Sequence, residues 1–274
     1  MVRHDFLRQL LDPTVFDQLT NTVATGLQPV ELRDAAAVTG LPVGSRSPQP
    51  LPLEYVVAVG RFGHSMVRNN YFINDTHFEV NLKDNISRMT GGRGGASPRL
   101  PADWVVAWER FFYVGPALFQ ARSSQSINTR IAPGLFEPEP PGMPPLPVRT
   151  LLRGYRTGLP SGQEIARAMG IESLTPDQIA SGSDADILIP AGFDRQTPLW
   201  YYILKEAELT GNGAHLGILG SWLTAKVMMD ALTDDPESYL SIQPDWVPTL
   251  TGPQNPALFG MADLLRFAIA PSNR

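Results

Sequence analysis

Prolines divide this chain into short pieces, which limits the architectures that it can adopt. Its 274 residues include 26 prolines and 24 glycines, and seven of the prolines fall between positions 133 and 147. Another proline-rich stretch covers residues 40–52. Proline has no backbone N–H and disrupts helix interiors and central strands, so these stretches are expected to be loops. The pattern predicts short helices joined by long, irregular, Pro- and Gly-rich loops.

Between the loops, apolar residues recur at helical spacing. Asp12-Pro13 divides the first such segment, residues 6–19, into two predicted helices, because Asp can cap one helix end and Pro can begin the next. Ser161 with Glu164 and Thr175 with Gln178 have the spacing of capping boxes. Further helices are predicted at 104–112, which is rich in aromatic residues, at 199–209 after Thr197-Pro198, at 216–232 and at 261–268. There is no internal repeat and no alternation of strands and helices, so we expect a mainly α, irregular helical single domain over residues 1–274.

Composition and charge exclude several classes of function. There is no cysteine, which rules out disulfides, zinc thiolate sites, iron–sulfur clusters and cysteine nucleophiles in this chain. The formal net charge is −5 and there is no basic run, so we do not expect nucleic acid as a partner. No stretch approaches the roughly 20 apolar residues of a membrane span, and the first residues lack the apolar core of a secretory signal. A soluble chain is expected, with its compartment left open.

One segment, residues 54–70, has a residue pattern that could form a ligand site. If it is helical, Gly60 lies one turn before His64, and the space beside the imidazole is open to a flat, bulky ligand. Two glycines in four residues, at 60 and 63, cost a helix on the order of 1–2 kcal/mol, which close packing or a site would explain. The alternative is a β-rich segment, since residues 55–59 are rich in β-branched side chains, with His64 a hydrogen-bonded core or surface histidine. Spacing alone leaves both open.

Arg61-Phe62-Gly63-His64-Ser65 is similar to the Arg-[Phe/Tyr]-Gly-His-[Ser/Thr] proximal motif of the animal haem peroxidase superfamily. Three later segments resemble parts of its bacterial members in the same order, at 128–133, 151–162 and 197–208. The likeness covers nearly the whole chain and corresponds to the proximal, haem-holding portion of the family.

The resemblance implies that the chain binds haem b non-covalently, with His64 as the axial ligand of the iron. Gly60 would lie beside the macrocycle. Arg61 and Arg153 match positions that contact haem propionates, and a guanidinium can bind a carboxylate as a fork. The alternative for both is a surface salt bridge. Thr150 replaces the family's asparagine, which accepts a hydrogen bond from the proximal histidine, so we expect a weaker bond and a less basic imidazole.

The resemblance also implies partners. The family's distal histidine, glutamine and arginine precede the segment that residues 1–7 resemble, so the expected partners include an upstream segment or a separate distal-half chain. A small-molecule electron donor and hydrogen peroxide are expected as well, because peroxidase chemistry uses both.

Three functions of different kinds remain under consideration. The first is a haem-dependent oxidoreductase that uses hydrogen peroxide. The second is a non-catalytic haem-binding or interaction protein, as a pseudo-peroxidase or half of a split enzyme. The third is a fatty-acid dioxygenase, which is disfavoured because Arg61 occupies the position of the radical tyrosine, three residues before the proximal histidine. A hydrolase is not expected, because the chain has no nucleophile-elbow motif.

The remaining signals are given structural interpretations. His4, His77 and His215 are not spaced as a metal-binding pair on a helix. The glycine-rich run at 91–95 lacks the Gly-Lys-Ser/Thr ending of a phosphate-binding loop, so a surface loop is predicted there.

Overall fold

A computed structural model describes residues 2–25, 51–84, 101–114, 121–137, 142–243 and 259–269 of the chain. The structure is mostly helical, as predicted. The α-helices are α1 (Val2–Leu10), α2 (Pro13–Thr25), α3 (Leu53–Val57), α4 (Leu146–Arg156), α5 (Gly162–Ala168), α6 (Pro176–Ile179), α7 (Ala185–Leu188), α8 (Leu199–Gly211), α9 (Ile218–Thr233), α10 (Tyr239–Ile242) and α11 (Met261–Ile269). Short 3₁₀ turns cover Val59–His64, Ala102–Trp104, Trp108–Arg110 and Pro133–Leu135.

Strand structure among the described residues is limited to one small antiparallel pair, β1 (Asn70–Tyr71) and β2 (Val80–Asn81). Asn70 pairs with Asn81, and Tyr71 pairs with Val80. No helix in the described ranges has the length and apolar character needed to cross a membrane.

The first two helices form where the sequence predicts them. Pro13 begins α2, and the Asp12 carboxylate accepts a hydrogen bond from the Thr14 N–H at 2.9 Å. The Asp12 N–H donates to the hydroxyl of Ser221 on α9 at 2.7 Å, and the N–H of Leu216 donates to the carbonyl of Leu10 at 2.8 Å. These bonds hold the N-terminal pair against the start of α9.

Helix α8 lies at the centre of the core. Six consecutive residues of it, Tyr202 to Ala207, are buried, and it contacts α4, α5, α6 and α9. A helix that is buried on nearly every side forms part of the core, and the surrounding helices pack against it. Gly162 at the start of α5 lies against α8 so closely that a Cβ there would be 2.1 Å from Cγ of Tyr202.

Local capping signals are confirmed. Both capping boxes form, with Ser161 and Glu164 at α5 and with Thr175 and Gln178 at α6. The predicted helix after Thr197-Pro198 begins at Leu199, with Pro198 as its N-cap. The helices predicted at 216–232 and 261–268 correspond to α9 and α11.

The prediction of a helix at 104–112 is wrong. The segment forms two 3₁₀ turns, and Val105 between them is extended with φ −60° and ψ 128°. The Ala107 N–H donates instead to the carbonyl of Ile73 at 2.9 Å, and the buried Arg110 pairs with Asp75. Contacts with residues distant in sequence therefore override the helical spacing. The glycine-rich run at 91–95 lies outside the described residues.

Candidate functional site

His64 ends the 3₁₀ turn Val59–His64, which follows α3; we name it the His64 turn. The α-helix considered for this segment is therefore present only as far as Val57. A 3₁₀ turn has 3.0 residues per turn, so side chains three residues apart are aligned. This geometry brings Arg61, and not Gly60, one turn before His64.

The open space expected beside Gly60 lies beside Gly63. A Cβ on Gly60 would be 3.0 Å from the Tyr55 ring and 3.0 Å from the Tyr55 carbonyl oxygen. On Gly63, a Cβ would have no neighbour within 4 Å. The expectation about Gly60 is therefore corrected: Gly60 accommodates a tyrosine ring, and the glycine next to His64 borders open space.

The His64 imidazole is half-buried, and its two nitrogens differ in access. Nδ1 is buried and has no hydrogen-bond partner. Because Nδ1 is the buried nitrogen, Nε2 is the candidate for binding a ligand. The ring packs edge-to-face on Trp200 of α8, with centroids 6.0 Å apart and an interplanar angle of 74°.

Hydrogen bonds to backbone carbonyls fix the His64 turn. Nε1 of Trp200 donates to the Arg61 carbonyl at 3.0 Å, and Nε of Arg61 donates to the Val56 carbonyl at 2.9 Å. The buried Ser65 donates its hydroxyl to the Phe62 carbonyl at 2.8 Å. The imidazole is thus held on a turn that is anchored to the core helix α8.

Positive charge surrounds His64. Burial lowers the pKa of His64 most, and the charges of Arg61, Arg149 and Arg153 lower it further. Burial and the charge of Arg153 also lower the pKa of the Arg61 guanidinium. No ion pair between described residues involves any of these three arginines. The site therefore holds a neutral imidazole near cations that lack acidic partners.

Helix α4 supplies two of these cations. Arg149 and Arg153 are four residues apart and so share one face of the helix. Nε of Arg149 is buried and has no hydrogen-bond partner. Arg149 was not predicted from the sequence, although its spacing from Arg153 was a signal that could have identified it.

Thr150 does not make the predicted hydrogen bond with His64. Its buried hydroxyl donates to the Leu146 carbonyl in the preceding turn of α4, at 3.1 Å. Nδ1 of His64 is left without an acceptor. Threonine in a helix commonly donates to the carbonyl four residues earlier, so the Thr150 hydroxyl is hydrogen-bonded within its own helix and not to His64.

Two other histidines each have one hydrogen-bonded ring nitrogen. His77 pairs through Nε2 with Asp103 at 2.9 Å, and Nδ1 of His215 lies 2.8 Å from the Leu216 carbonyl oxygen. Among the residues that the structure describes, no group of three or more His, Asp or Glu side chains is arranged to hold a metal ion.

No protein-family model matches the chain, and no curated protein matches it either.

Proposed function

We propose that the chain binds haem b non-covalently, with Nε2 of His64 as the axial ligand of the iron, as in the peroxidase family that its motifs resemble. One observation carries the proposal: the half-buried His64 follows a glycine whose Cβ position is open, and its pKa is lowered by three arginines that have no acidic partner among the described residues. That donor set suits a flat cofactor with a metal at its centre and carboxylates at its edge.

The state of His64 supports metal ligation. A metal binds the neutral imidazole, and both burial and the nearby arginines lower the pKa of His64 and so favour that form. The edge of Trp200 restricts rotation of the ring. The residue that fits haem least well is Thr150, because a ligating histidine ordinarily donates its other N–H to an acceptor.

The arginines support recognition of the propionates. The charge of Arg153 contributes to the lowered pKa of Arg61, and the charges of both arginines contribute to the lowered pKa of His64. Unpaired guanidinium groups repel one another, and a carboxylate placed among them would relieve the repulsion while accepting charge-assisted hydrogen bonds. A haem propionate is such a carboxylate.

Bound haem would supply the iron at which hydrogen peroxide reacts. The chain's own contribution is to hold the imidazole neutral, to orient it, and to bind the carboxylates. Proton transfer to and from peroxide needs a further acid–base group. We propose that an upstream segment or a separate distal-half chain provides it.

The second candidate is a non-catalytic haem-binding protein. It is favoured by the surroundings of His64, because the charged groups that influence its pKa are all arginines. His77 and His215, the two other histidines whose side chains are described, are not among those groups, so neither is identified as an acid–base group beside His64. A dioxygenase is supported less, because Arg61 stands where that chemistry needs a tyrosine.

Absorption spectroscopy with haemin tests the proposal. We expect a Soret band that shifts on binding to the purified chain and is lost in His64→Ala. His77→Ala is the matched control, since it removes an imidazole that is bonded to Asp103. Added imidazole should restore the band in His64→Ala. A band unchanged by His64→Ala would contradict the proposal.

Guaiacol oxidation with hydrogen peroxide separates the two candidates. Turnover that depends on His64 would identify a working peroxidase. A His64-dependent Soret band without turnover would identify a non-catalytic binder or one half of a split enzyme.

A further inference from the structure

Arg149 is the feature of this site that the resemblance does not account for. The resemblance assigns roles to Arg61 and Arg153 but none to Arg149, yet the charge of Arg149 also lowers the pKa of His64. It lies one helical turn before Arg153 on α4. Helix α4 packs against α3, which leads into the His64 turn, and against α8, which carries Trp200. The packing of α4 therefore brings Arg149 to the site.

Nε of Arg149 is in an unfavourable position in the ligand-free chain. The atom is buried and donates to nothing. A buried N–H without an acceptor has lost its hydrogen bonds to water and gained none in return, and this penalty is larger when the group is charged. No acidic side chain among the described residues pairs with this guanidinium. Buried Arg110 differs in this respect, because its guanidinium pairs with Asp75.

We propose that Arg149 is a third carboxylate-binding residue of the His64 site, and that the site therefore selects a porphyrin by its acidic edge as well as by its metal. This inference rests on the proposed function and specifies how the ligand is recognised. A carboxylate that reaches Arg149 would give its Nε–H an acceptor and would reduce the repulsion among the three guanidinium groups.

The test uses ligands that separate the acidic edge from the metal. Metal-free protoporphyrin IX carries the two carboxylates without iron. Its dimethyl ester also lacks iron, and its two carboxyl groups are esterified and so carry no charge. The dissociation constants of both are measured by fluorescence quenching for the wild-type chain, Arg149→Gln and Arg156→Gln. Arg156 is the matched control, because it lies on the same helix and is exposed, but does not influence the pKa of His64. Circular dichroism verifies that each variant folds.

We expect the wild-type chain to bind protoporphyrin IX about tenfold or more tightly than its dimethyl ester, as the loss of a charge-assisted hydrogen bond implies. Arg149→Gln should weaken binding of the acid by a similar factor and leave binding of the ester unchanged. Arg156→Gln should change neither. Arg149→Lys should restore part of the affinity, because it keeps the charge but loses the fork.

Three results would overturn the inference: equal binding of acid and ester, equal loss in Arg149→Gln and Arg156→Gln, or no binding of protoporphyrin IX. The haemin experiment with His64→Ala is independent of all three. Haemin binding that needs His64 but ignores Arg149 would refute the role of Arg149 and leave the proposed function intact. Haemin binding that needs Arg149 but ignores His64 would refute the proposed function and leave the role of Arg149 intact.

Discussion

Two regions of this molecule differ in how their buried polar groups are paired, although the Thr224 hydroxyl in the first region also lacks a partner among the described residues. Around α8, the buried groups that join neighbouring helices have their hydrogen bonds made: the Gln163 amide donates to the Thr197 hydroxyl at 2.7 Å and accepts from the Thr197 N–H at 3.0 Å. At the candidate site, Nδ1 of His64 on the His64 turn and Nε of Arg149 on α4 are buried and have no hydrogen-bond partner among the described residues. Buried polar groups are normally paired, so the paired groups of the first region stabilise the fold, whereas the unpaired atoms of the second lie where we propose that a ligand binds.

Glu206 illustrates the first region. Its buried carboxylate accepts from the N–H groups of Leu219 and Gly220 at 3.0 and 3.1 Å and so caps the start of α9. Gly217 makes room for it, since a Cβ there would lie 2.2 Å from Cγ of Glu206. The neighbouring Lys205 is also buried, and its ammonium group donates to the Ser181 carbonyl at 2.5 Å.

The largest difference between the regions is expected from substituting alanine for glycine. Gly162→Ala forces a methyl group onto the Tyr202 ring and should destabilise the fold by about 3 kcal/mol. Gly63→Ala meets open space and should change stability by no more than about 0.5 kcal/mol. Urea denaturation measures both. Similar losses of stability in the two variants would contradict the expected difference between the two regions.

The next largest effect is a pH dependence due to Glu206. Burial raises its pKa from 4.5 to about 7, and the charge of Asp12 contributes, against the opposing effect of the bonds from Leu219 and Gly220. The folded chain thus holds this proton more tightly than the unfolded chain. The corresponding stability is complete below pH 4.5 and is lost as the pH rises to about 7. The change is on the order of 3 kcal/mol, at about 1.4 kcal/mol per pKa unit.

Glu206→Gln should remove this dependence. Thermal denaturation of the two proteins between pH 4 and pH 8 gives the difference in stability, from which the other titrating groups cancel. A difference that stays constant over this range would show that Glu206 does not titrate there.

His64 should give a smaller effect of opposite sign. Its pKa is below 6.5 because of burial first and the three arginines second. The folded chain therefore resists protonation of His64, and this contribution to stability is present above pH 6.5 and is lost as the pH falls through the folded-state pKa. NMR titration should give a higher midpoint for His64 in Arg149→Gln and in Arg153→Gln. An unchanged midpoint in both variants would show that the arginine charges do not reach the ring.

The smallest effect concerns repulsion among the arginines. Arg153→Gln removes an unpaired charge near Arg61 and should stabilise the ligand-free chain by about 0.3 kcal/mol at low salt. The gain should disappear at roughly 1 M salt, where charges are screened within about 3 Å. Differential scanning calorimetry at the two salt concentrations measures it. A loss of stability at low salt would indicate that Arg153 has a structural partner.

Much of the fold could be predicted because its signals are local. The capping boxes at Ser161 and Thr175 and the break at Asp12-Pro13 depend on residues within one helical turn, and all three form as predicted. The segment 104–112 could not be predicted, because its backbone pairs with Ile73 and its Arg110 pairs with Asp75, both more than thirty residues earlier.

The site could also be predicted only in part, because some of its features depend on how distant segments pack. His64, Arg61 and Arg153 lie within electrostatic reach of one another, although their roles remain predictions. Gly60 and Thr150 differ from expectation because a 3₁₀ turn replaces an α-helical one and because the threonine bonds within its own helix. Arg149 was missed because its approach to His64 depends on how α4 packs.

Trp200 gives this protein a natural optical reporter. Its indole makes a T-shaped contact with the His64 ring and donates a hydrogen bond to the backbone of the same turn. A porphyrin bound at His64 would therefore lie close enough to Trp200 to absorb its emission. A ligand that settles against His64 should therefore quench Trp200 more strongly than a ligand elsewhere on the chain. In Trp200→Phe the emission that remains comes from other tryptophans, so the difference between the two signals reports where a ligand is bound.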